Sequence, residues 1–234
     1  MWTLDDLKTD RDTQITAICI GFFLIAFPLY FSIAASGVDA TSGLGGVRDY
    51  EVSGELTYVE LASGGEYIAD GTTYDIENLH TDAIDGAEDM NIVGVRLTMT
   101  YSEDETGGDG PLCPGGSAAS DTITGTASHL TFNASGNGQN DGGNGAHTVD
   151  VEWYNSSMNG QIISGLSEKE IQEQIDSMGA GLGSYSAEIS VDAEAGNEPS
   201  PTCSRTDDGE DVSYVVELIV FDYAIAPYIE LTDV

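Results

Sequence analysis

Two short runs of carboxylates are the side chains of this sequence whose spacing best suits ligand chemistry. One run precedes Cys113 and the other follows Cys203; together they comprise Glu103, Asp104, Glu105, Asp109, Asp207, Asp208, Glu210 and Asp211. Carboxylate oxygens are hard ligands that suit Ca²⁺, and several of them at one loop tip repel each other without a cation. The runs therefore predict a calcium site, although neither matches the EF-hand spacing and 41 acidic residues make such clusters common.

Three cysteines are present, and we expect two of them to form a disulfide. Cys113 and Cys203 lie in loops rich in Gly, Pro and Ser, whereas Cys19 lies within an apolar run and is expected to pack as a small apolar side chain. A Cys113–Cys203 disulfide would bring the two acidic runs together and would require an oxidising compartment. Asn133 and Asn155 each begin an Asn-X-Ser triplet, a signal that permits glycosylation of an exported domain.

No catalytic signature accompanies these residues. The histidines, His80, His129 and His147, lack the spacing of a helical metal pair, and we expect them to be polar surface residues. The sequence contains no G-x-S-x-G motif, and its glycine-rich stretch lacks the lysine of a phosphate-binding loop. Acidic pairs are too frequent to indicate a glycosidase. The sequence thus predicts a protein that is not an enzyme and has no cofactor beyond the Ca²⁺ considered above.

The charge balance of the chain excludes one large class of partner. Acidic residues outnumber basic ones by 41 to 6 in 234 residues, which gives a net charge of −35. Such a chain has no basic patch for nucleic acid. The 40% apolar content, with 11 Tyr, still favours a folded domain. The composition resembles that of exported proteins from salt-loving or marine archaea, and it predicts a fold that is more stable in high salt, where repulsion is screened.

An uncharged stretch of 21 residues, Ile15–Ala35, predicts a transmembrane helix. At 1.5 Å per residue it would span roughly 31 Å, close to the apolar thickness of a bilayer. Lys8 and Arg11 precede the stretch and only Arg48 follows it closely, so the positive-inside rule places the N-terminus in the cytoplasm. The alternative is a cleaved signal peptide, since small residues suited to the peptidase occur near Ala34 and Ala40.

The predicted organisation is a short cytoplasmic segment, an anchor, a linker and one exported domain. These correspond to residues 1–14, 15–35, 36–47 and 48–234, and the linker is rich in Gly and Ser. The anchor makes the lipid bilayer one expected partner and the cell membrane the expected location. Beyond residue 48, apolar and polar residues alternate at the period of strands. The result is a mainly β prediction: an extracytoplasmic antiparallel β-sandwich, Ig-like, with seven or eight strands and one short helix.

The strands are expected at Tyr50–Tyr58, Tyr67–Ile76, Val93–Tyr101, Thr122–Ala134, Val149–Trp153, Tyr185–Ala193 and Val212–Tyr223. The last is apolar on both faces, so we place it centrally in a sheet. Leu130 and Phe132 are expected to point inward. A capping box at Ser167 predicts a helix over Glu168–Met178 that covers the core. Loops are expected at Ser102–Ser120, Gly136–Gly145 and Gly196–Asp211.

Three classes of function fit this organisation. The first is a structural, adhesive or envelope-assembly protein of the cell surface, which needs no chemistry that the sequence lacks. The second is a filament subunit of the type IV pilin or archaellin kind, or an archaellum accessory protein; the absence of a Lys/Arg-Gly processing site before Ile15 departs from the filament pattern. The third is a cation- or ligand-binding accessory subunit of a membrane complex.

Overall fold

The computed structural model describes Ile15, residues 22–26, 46–102, 106–107, 119–140, 143–196 and 204–229. The chain divides into two compact units, Met1–Val47 and Arg48–Val234. In the first unit, Ile15 and residues 22–26 are helical, and most of the predicted anchor lies outside the described residues. No helix within the described residues is long and apolar enough to cross a membrane.

The second unit is a β-sandwich of two antiparallel sheets. Its described residues form eleven strands: β1 (Arg48–Ala69), β2 (Thr73–Ile76), β3 (Ile92–Ser102), β4 (Thr106–Gly107), β5 (Thr122–His129), β6 (Phe132–Gln139), β7 (Asn144–Glu152), β8 (Gln161–Leu166), β9 (Ser186–Asp192), β10 (Arg205–Thr206) and β11 (Gly209–Pro227). The five-stranded sheet has the order β7-β3-β11-β1-β8 and the four-stranded sheet β2-β9-β5-β6, while β10 pairs with β4. Short 3₁₀ turns occur at Thr81–Ala83, Ala87–Asp89 and Ser156–Met158.

Strand β11 occupies the centre of the five-stranded sheet, as its apolar character on both faces predicts. It pairs with β1 from Tyr50↔Pro227 to Ala69↔Gly209, and with β3 on its other side. Val216, Leu218 and Val220 face the four-stranded sheet, where they join the main core, whereas Ile219 and Phe221 face the opposite side. A single strand thereby supplies two cores, one on each face of its sheet.

The second core is covered by the helix that the capping box predicts. This helix, α1 (Glu168–Ile175), begins at Ser167, whose hydroxyl accepts the Glu170 amide while the Glu170 carboxylate accepts the Ser167 amide. Ile171 and Ile175 are fully buried against Phe221 and its neighbours. The predicted cover of the core is confirmed, but the helix ends three residues earlier than Met178, which has a φ of +51° and an exposed side chain.

Three details of the predicted strands are wrong. Tyr50–Tyr58 and Tyr67–Ala69 belong to one continuous strand, β1. The predicted strand Thr122–Ala134 is a hairpin of β5 and β6, and Leu130 lies in its turn with a φ of +53° and 73% exposure instead of pointing inward. Phe132, also predicted to point inward, is 40% exposed. The predicted loop at Gly136–Gly145 contains the end of β6 and the start of β7.

Candidate functional site

Strands β7, β3 and β11 of the five-stranded sheet have neighbouring ends at one end of the sandwich, which we call the loop end. Ser102, at the end of β3, lies opposite Asp211 of β11 on one side and Asn144 of β7 on the other. Beyond them, residues 106–107 of β4 pair with residues 205–206 of β10. Antiparallel pairing therefore places the end of β3, which precedes the first acidic run, beside the start of β11, which contains the end of the second run.

The structure describes only part of the predicted cation site. Glu103, Asp104, Glu105 and Asp109 lie outside the described residues, and so do all three cysteines, including the predicted Cys113–Cys203 pair. In the second run, Glu210 is buried, Asp207 is half-buried, and Asp208 and Asp211 are exposed. Strand alternation thus points Glu210 and Asp211 to opposite faces of β11. Among the described residues, no three His, Cys, Asp or Glu side chains are grouped so that they could hold a metal ion.

A buried polar network occupies the interior of the loop end. The Asn140 carboxamide nitrogen donates to Glu210 Oε1 at 2.5 Å and to Asp121 Oδ2 at 3.0 Å. The Asn140 carboxamide oxygen accepts the Asp121 backbone amide at 3.0 Å, and Asp121 Oδ1 accepts the Glu194 amide at 2.7 Å. Glu210 and Asp121 are fully buried, and Asn140 is 3% exposed.

This network ties together chain segments that are distant in the sequence. Asp121 precedes β5, Asn140 follows β6 and Glu210 lies at the start of β11, so one carboxamide links both sheets. Buried carboxylates are tolerated only where hydrogen bonds replace their hydration. Because the three side chains are closed to solvent, their arrangement holds the base of the loops in position and does not face a substrate.

A tyrosine and a histidine extend the polar interior toward β7. Tyr101 Oη lies 3.3 Å from His147 Nδ1, and His147 Nε2 lies 3.3 Å from the Gly136 carbonyl oxygen. Since only a protonated Nε2 can donate to that carbonyl, Nδ1 of the neutral ring accepts the Tyr101 hydroxyl. The fit requires Gly138, because a Cβ there would lie 2.6 Å from His147 Nδ1.

Burial shifts the pKa of both side chains. Burial raises the pKa of Tyr101, and the nearby Glu210 carboxylate raises it further. Burial lowers the pKa of His147, while the Gly136 carbonyl acts in the opposite direction. Both shifts favour the neutral forms, which are the forms that the Tyr101–His147 hydrogen bond uses.

We expect acid to destabilise the wild-type domain more than a His147→Gln variant. The folded state holds the pKa of His147 below 6.5, so the unfolded chain binds a proton first as the pH falls below that value. The stabilisation that the neutral His147 ring contributes is therefore present above about pH 6.5 and is lost as the pH falls below that value. Urea unfolding at pH 7 and pH 5.5, in constant high salt, measures it. An equal loss of unfolding free energy in both proteins would contradict the assignment.

His129 corrects the expectation that the histidines are surface residues. Its ring is 2% exposed, stacks on Tyr185 with centroids 4.1 Å apart, and lies 5.0 Å from the Trp153 ring. Its Nδ1 and Nε2 lie 3.0 and 2.7 Å from the carbonyl oxygens of Ser184 and Ala180. His129 therefore fastens the end of β5 to the segment after α1. The alternation of β5, which also buries Ile123 and Ala127, is the sequence signal that places this histidine on the inner face.

Two cavities of the described residues are open to solvent and have walls of mixed polar and apolar character. One, of about 530 Å³, lies at the loop end and is lined by Thr100, Tyr101, Ser102, Asn144 and Asp211 among others. Another, of about 610 Å³, lies at the opposite end beside the 3₁₀ turns, where His80, Asp82, Asp85, Glu88 and Leu182 contribute to its walls. Ligand pockets for small molecules are usually deeper and more apolar.

The two predicted glycosylation sites differ in their surroundings. Asn133 lies on the outer face of β6, where its side chain is exposed. Asn155 is half-buried beside α1, and its carboxamide donates to Gln174 Oε1 at 3.1 Å and accepts the Ser157 hydroxyl at 2.6 Å. Of the two, only the Asn133 side chain is exposed and makes no hydrogen bond to another described residue.

Comparison with known proteins gives no family. No protein-family model matches the sequence, and no curated protein matches it. Solved structures similar to the chain include one from tobacco necrosis virus, at 12% identity, covering 77% of this chain and 95% of that one with a TM-score of 0.20. Another, from a mud crab tombus-like virus, is 7% identical and covers 81% and 98%, again with a TM-score of 0.20. A TM-score this low supports no conclusion about the fold or the function of this chain.

Proposed function

We propose that this protein is a membrane-anchored, extracytoplasmic β-sandwich with a structural, adhesive or envelope-assembly role at the surface of a salt-adapted archaeal cell. The observation that carries the proposal is the course of β1 and β11. The chain enters the sandwich at Arg48, directly after the Gly/Ser-rich linker, and β1 then runs for 22 residues to the loop end. At about 3.3 Å per residue this strand has a contour of roughly 70 Å.

That course puts Arg48 and the loop end at opposite ends of the β1–β11 ladder. Arg48 and Pro227 lie at one end of the β1–β11 ladder, and Ala69 and Gly209 lie at the other. An anchor that precedes residue 48 would therefore hold the loop end away from its point of attachment. The two cavities described above are open to solvent, unlike the enclosed pockets in which small molecules usually bind.

Protease accessibility tests the proposed topology on the full chain. We expect protease added to intact cells to remove a C-terminal epitope tag and to spare an N-terminal one, which becomes accessible only after detergent is added. A C-terminal tag that survives until lysis would overturn the proposal. Loss of the N-terminal tag from the mature protein would support export but replace the anchor by a cleaved signal peptide.

Salt should stabilise the domain strongly. Only six lysines and arginines are present to balance 41 carboxylates, so the folded state brings many like charges together. The Debye length falls from about 10 Å at 0.1 M salt to about 3 Å at 1 M, which screens this repulsion. We expect the urea midpoint to rise between 0.1 and 2 M KCl. KCl is preferable to sulfate, which also strengthens apolar burial; a flat response would contradict the expectation.

A further inference from the structure

The outer face of β5 and β6 carries no charged side chain, although the chain is strongly acidic. Residues 122–140 contain no Asp, Glu, Lys or Arg, although 41 of the 234 residues in the chain are acidic. Strand pairing arranges the outward side chains in four rows: Ser128 with Asn133, Thr126 with Ser135, Thr124 with Asn137, and Thr122 with Gln139. We call these eight side chains the neutral face.

The neutral face is rich in hydrogen-bonding groups. Neighbouring hydroxyls already contact one another, since Thr126 Oγ1 donates to Ser135 Oγ at 3.1 Å and Gln139 Nε2 donates to Thr122 Oγ1 at 3.3 Å. The four rows extend over about 20 Å at the spacing of a strand. Charged residues begin again on the adjoining strand β9, at Glu188 and Asp192.

One side chain of the neutral face is chemically suited to modification. Asn133 begins the triplet Asn133-Ala134-Ser135, its side chain is exposed, and within the described chain its carboxamide makes no hydrogen bond. In the second triplet, both polar atoms of the Asn155 carboxamide are hydrogen-bonded: the nitrogen donates to Gln174, and the oxygen accepts the Ser157 hydroxyl. The structure therefore separates two triplets that the sequence presents as equivalent.

We propose that Asn133 carries an N-linked saccharide that lies over the neutral face; this inference rests on the proposed export of the domain. In the transfer, Asn133 Nδ2 bonds to the anomeric carbon of a sugar activated by a lipid phosphate. The bond between that carbon and the phosphate oxygen breaks, the phosphate leaves with the electron pair, and the carboxamide loses one proton. A glycosyltransferase of the cell catalyses this step.

The chemistry of the neutral face matches a saccharide. When a saccharide covers hydroxyl and carboxamide groups, sugar hydroxyls can replace the water molecules to which these groups were hydrogen-bonded. Few donors or acceptors are then left without a partner. Covering a carboxylate would instead remove hydration from a charge. On a domain with this excess of acid, a bulky neutral group is less unfavourable over the neutral face than over the neighbouring carboxylates Glu188 and Asp192.

Peptide masses test the proposal on protein purified from its own membranes. Cleavage before aspartate yields residues 121–140, which contain Asn133, and residues 150–175, which contain Asn155. We expect sugar mass on the first peptide and none on the second. Asn133→Gln and Ser135→Ala should both abolish the added mass, whereas Ser128→Ala on the same face, and Asn155→Gln, should retain it.

The outcomes distinguish this inference from the proposed function. An unmodified 121–140 peptide from protein that protease reaches on intact cells overturns the glycosylation and leaves the topology standing. An unmodified peptide from protein that protease cannot reach overturns both. Sugar on the 150–175 peptide alone would overturn the assignment to Asn133, because it would show that the engaged carboxamide is the acceptor.

Discussion

Replacing Asn140 with alanine is expected to lower the free energy of unfolding by about 4 kcal/mol. Its carboxamide nitrogen donates to two buried carboxylates, on Asp121 and Glu210, and its oxygen accepts the Asp121 amide. A hydrogen bond to a charged group contributes about 1.5–3 kcal/mol, and a buried group that loses its partner incurs its desolvation. Urea unfolding in 2 M KCl measures the loss.

Asn137→Ala provides the matched control for this substitution. Asn137 lies on the same segment of chain but its side chain is exposed on the outer face of β6, so we expect a change within about 0.5 kcal/mol. Asn140→Asp preserves the size of the side chain and replaces the shared donor by a third negative charge. It should destabilise at least as much as Asn140→Ala. A loss below about 1 kcal/mol in both Asn140 variants would show that the network does not support the fold.

The Asn140 network also shows what the sequence could have revealed about the loop end. The alternation of β11 extends from the buried Val212 to Glu210, so period two alone places the Glu210 side chain inward and that of Asp211 outward. Treating the acidic run as one set of ligands ignored this alternation. The partner of Glu210 could not be predicted, because Asn140, which also binds Asp121, reaches it only through the packing of one sheet on the other.

The β5–β6 hairpin was misread for a different reason. Its turn lacks the Asn-Gly or Asp-Gly signal of a two-residue hairpin, and Leu130 and Phe132 continue the period-two pattern of a strand. Leu130 accepts a positive φ because burial of His129 beside it fixes the end of β5. Tertiary packing therefore decides the turn against local preference.

The glycines of β6 gave a misleading signal of a loop. Gly136 and Gly138 face inward, where a Cβ would lie 3.1 Å from Val149 and 2.3 Å from the Tyr101 hydroxyl, respectively. Glycine here lets the Val149, Tyr101 and His147 side chains of the facing sheet pack against the backbone of β6, and it does not indicate a flexible segment. In contrast, the position of β11 and the start of α1 were predictable, because each depends on local patterning.

Phe221→Ala should cost the domain about 4 kcal/mol of unfolding free energy, in the range known for buried phenylalanines. Phe221 is fully buried in the second core, its ring lies 5.2 Å from that of Tyr154 and 5.8 Å from that of Tyr223, and it covers Gly54. Phe132→Ala is the control, because that ring is 40% exposed and lies tilted against the Trp153 ring with centroids 5.8 Å apart, so about 1 kcal/mol is expected.

The loss in Phe221→Ala should also be local. Helix α1 is held by the apolar side chains of the second core, so a cavity there removes the contacts that fix Ile171 and Ile175. We therefore expect hydrogen exchange of the α1 amides to accelerate more than that of Leu97 and Val216, which lie in the main core. Uniform acceleration would show that the two faces of the β11 sheet unfold as one core rather than as two. A loss no larger than that of Phe132→Ala would show that Phe221 does not support the second core.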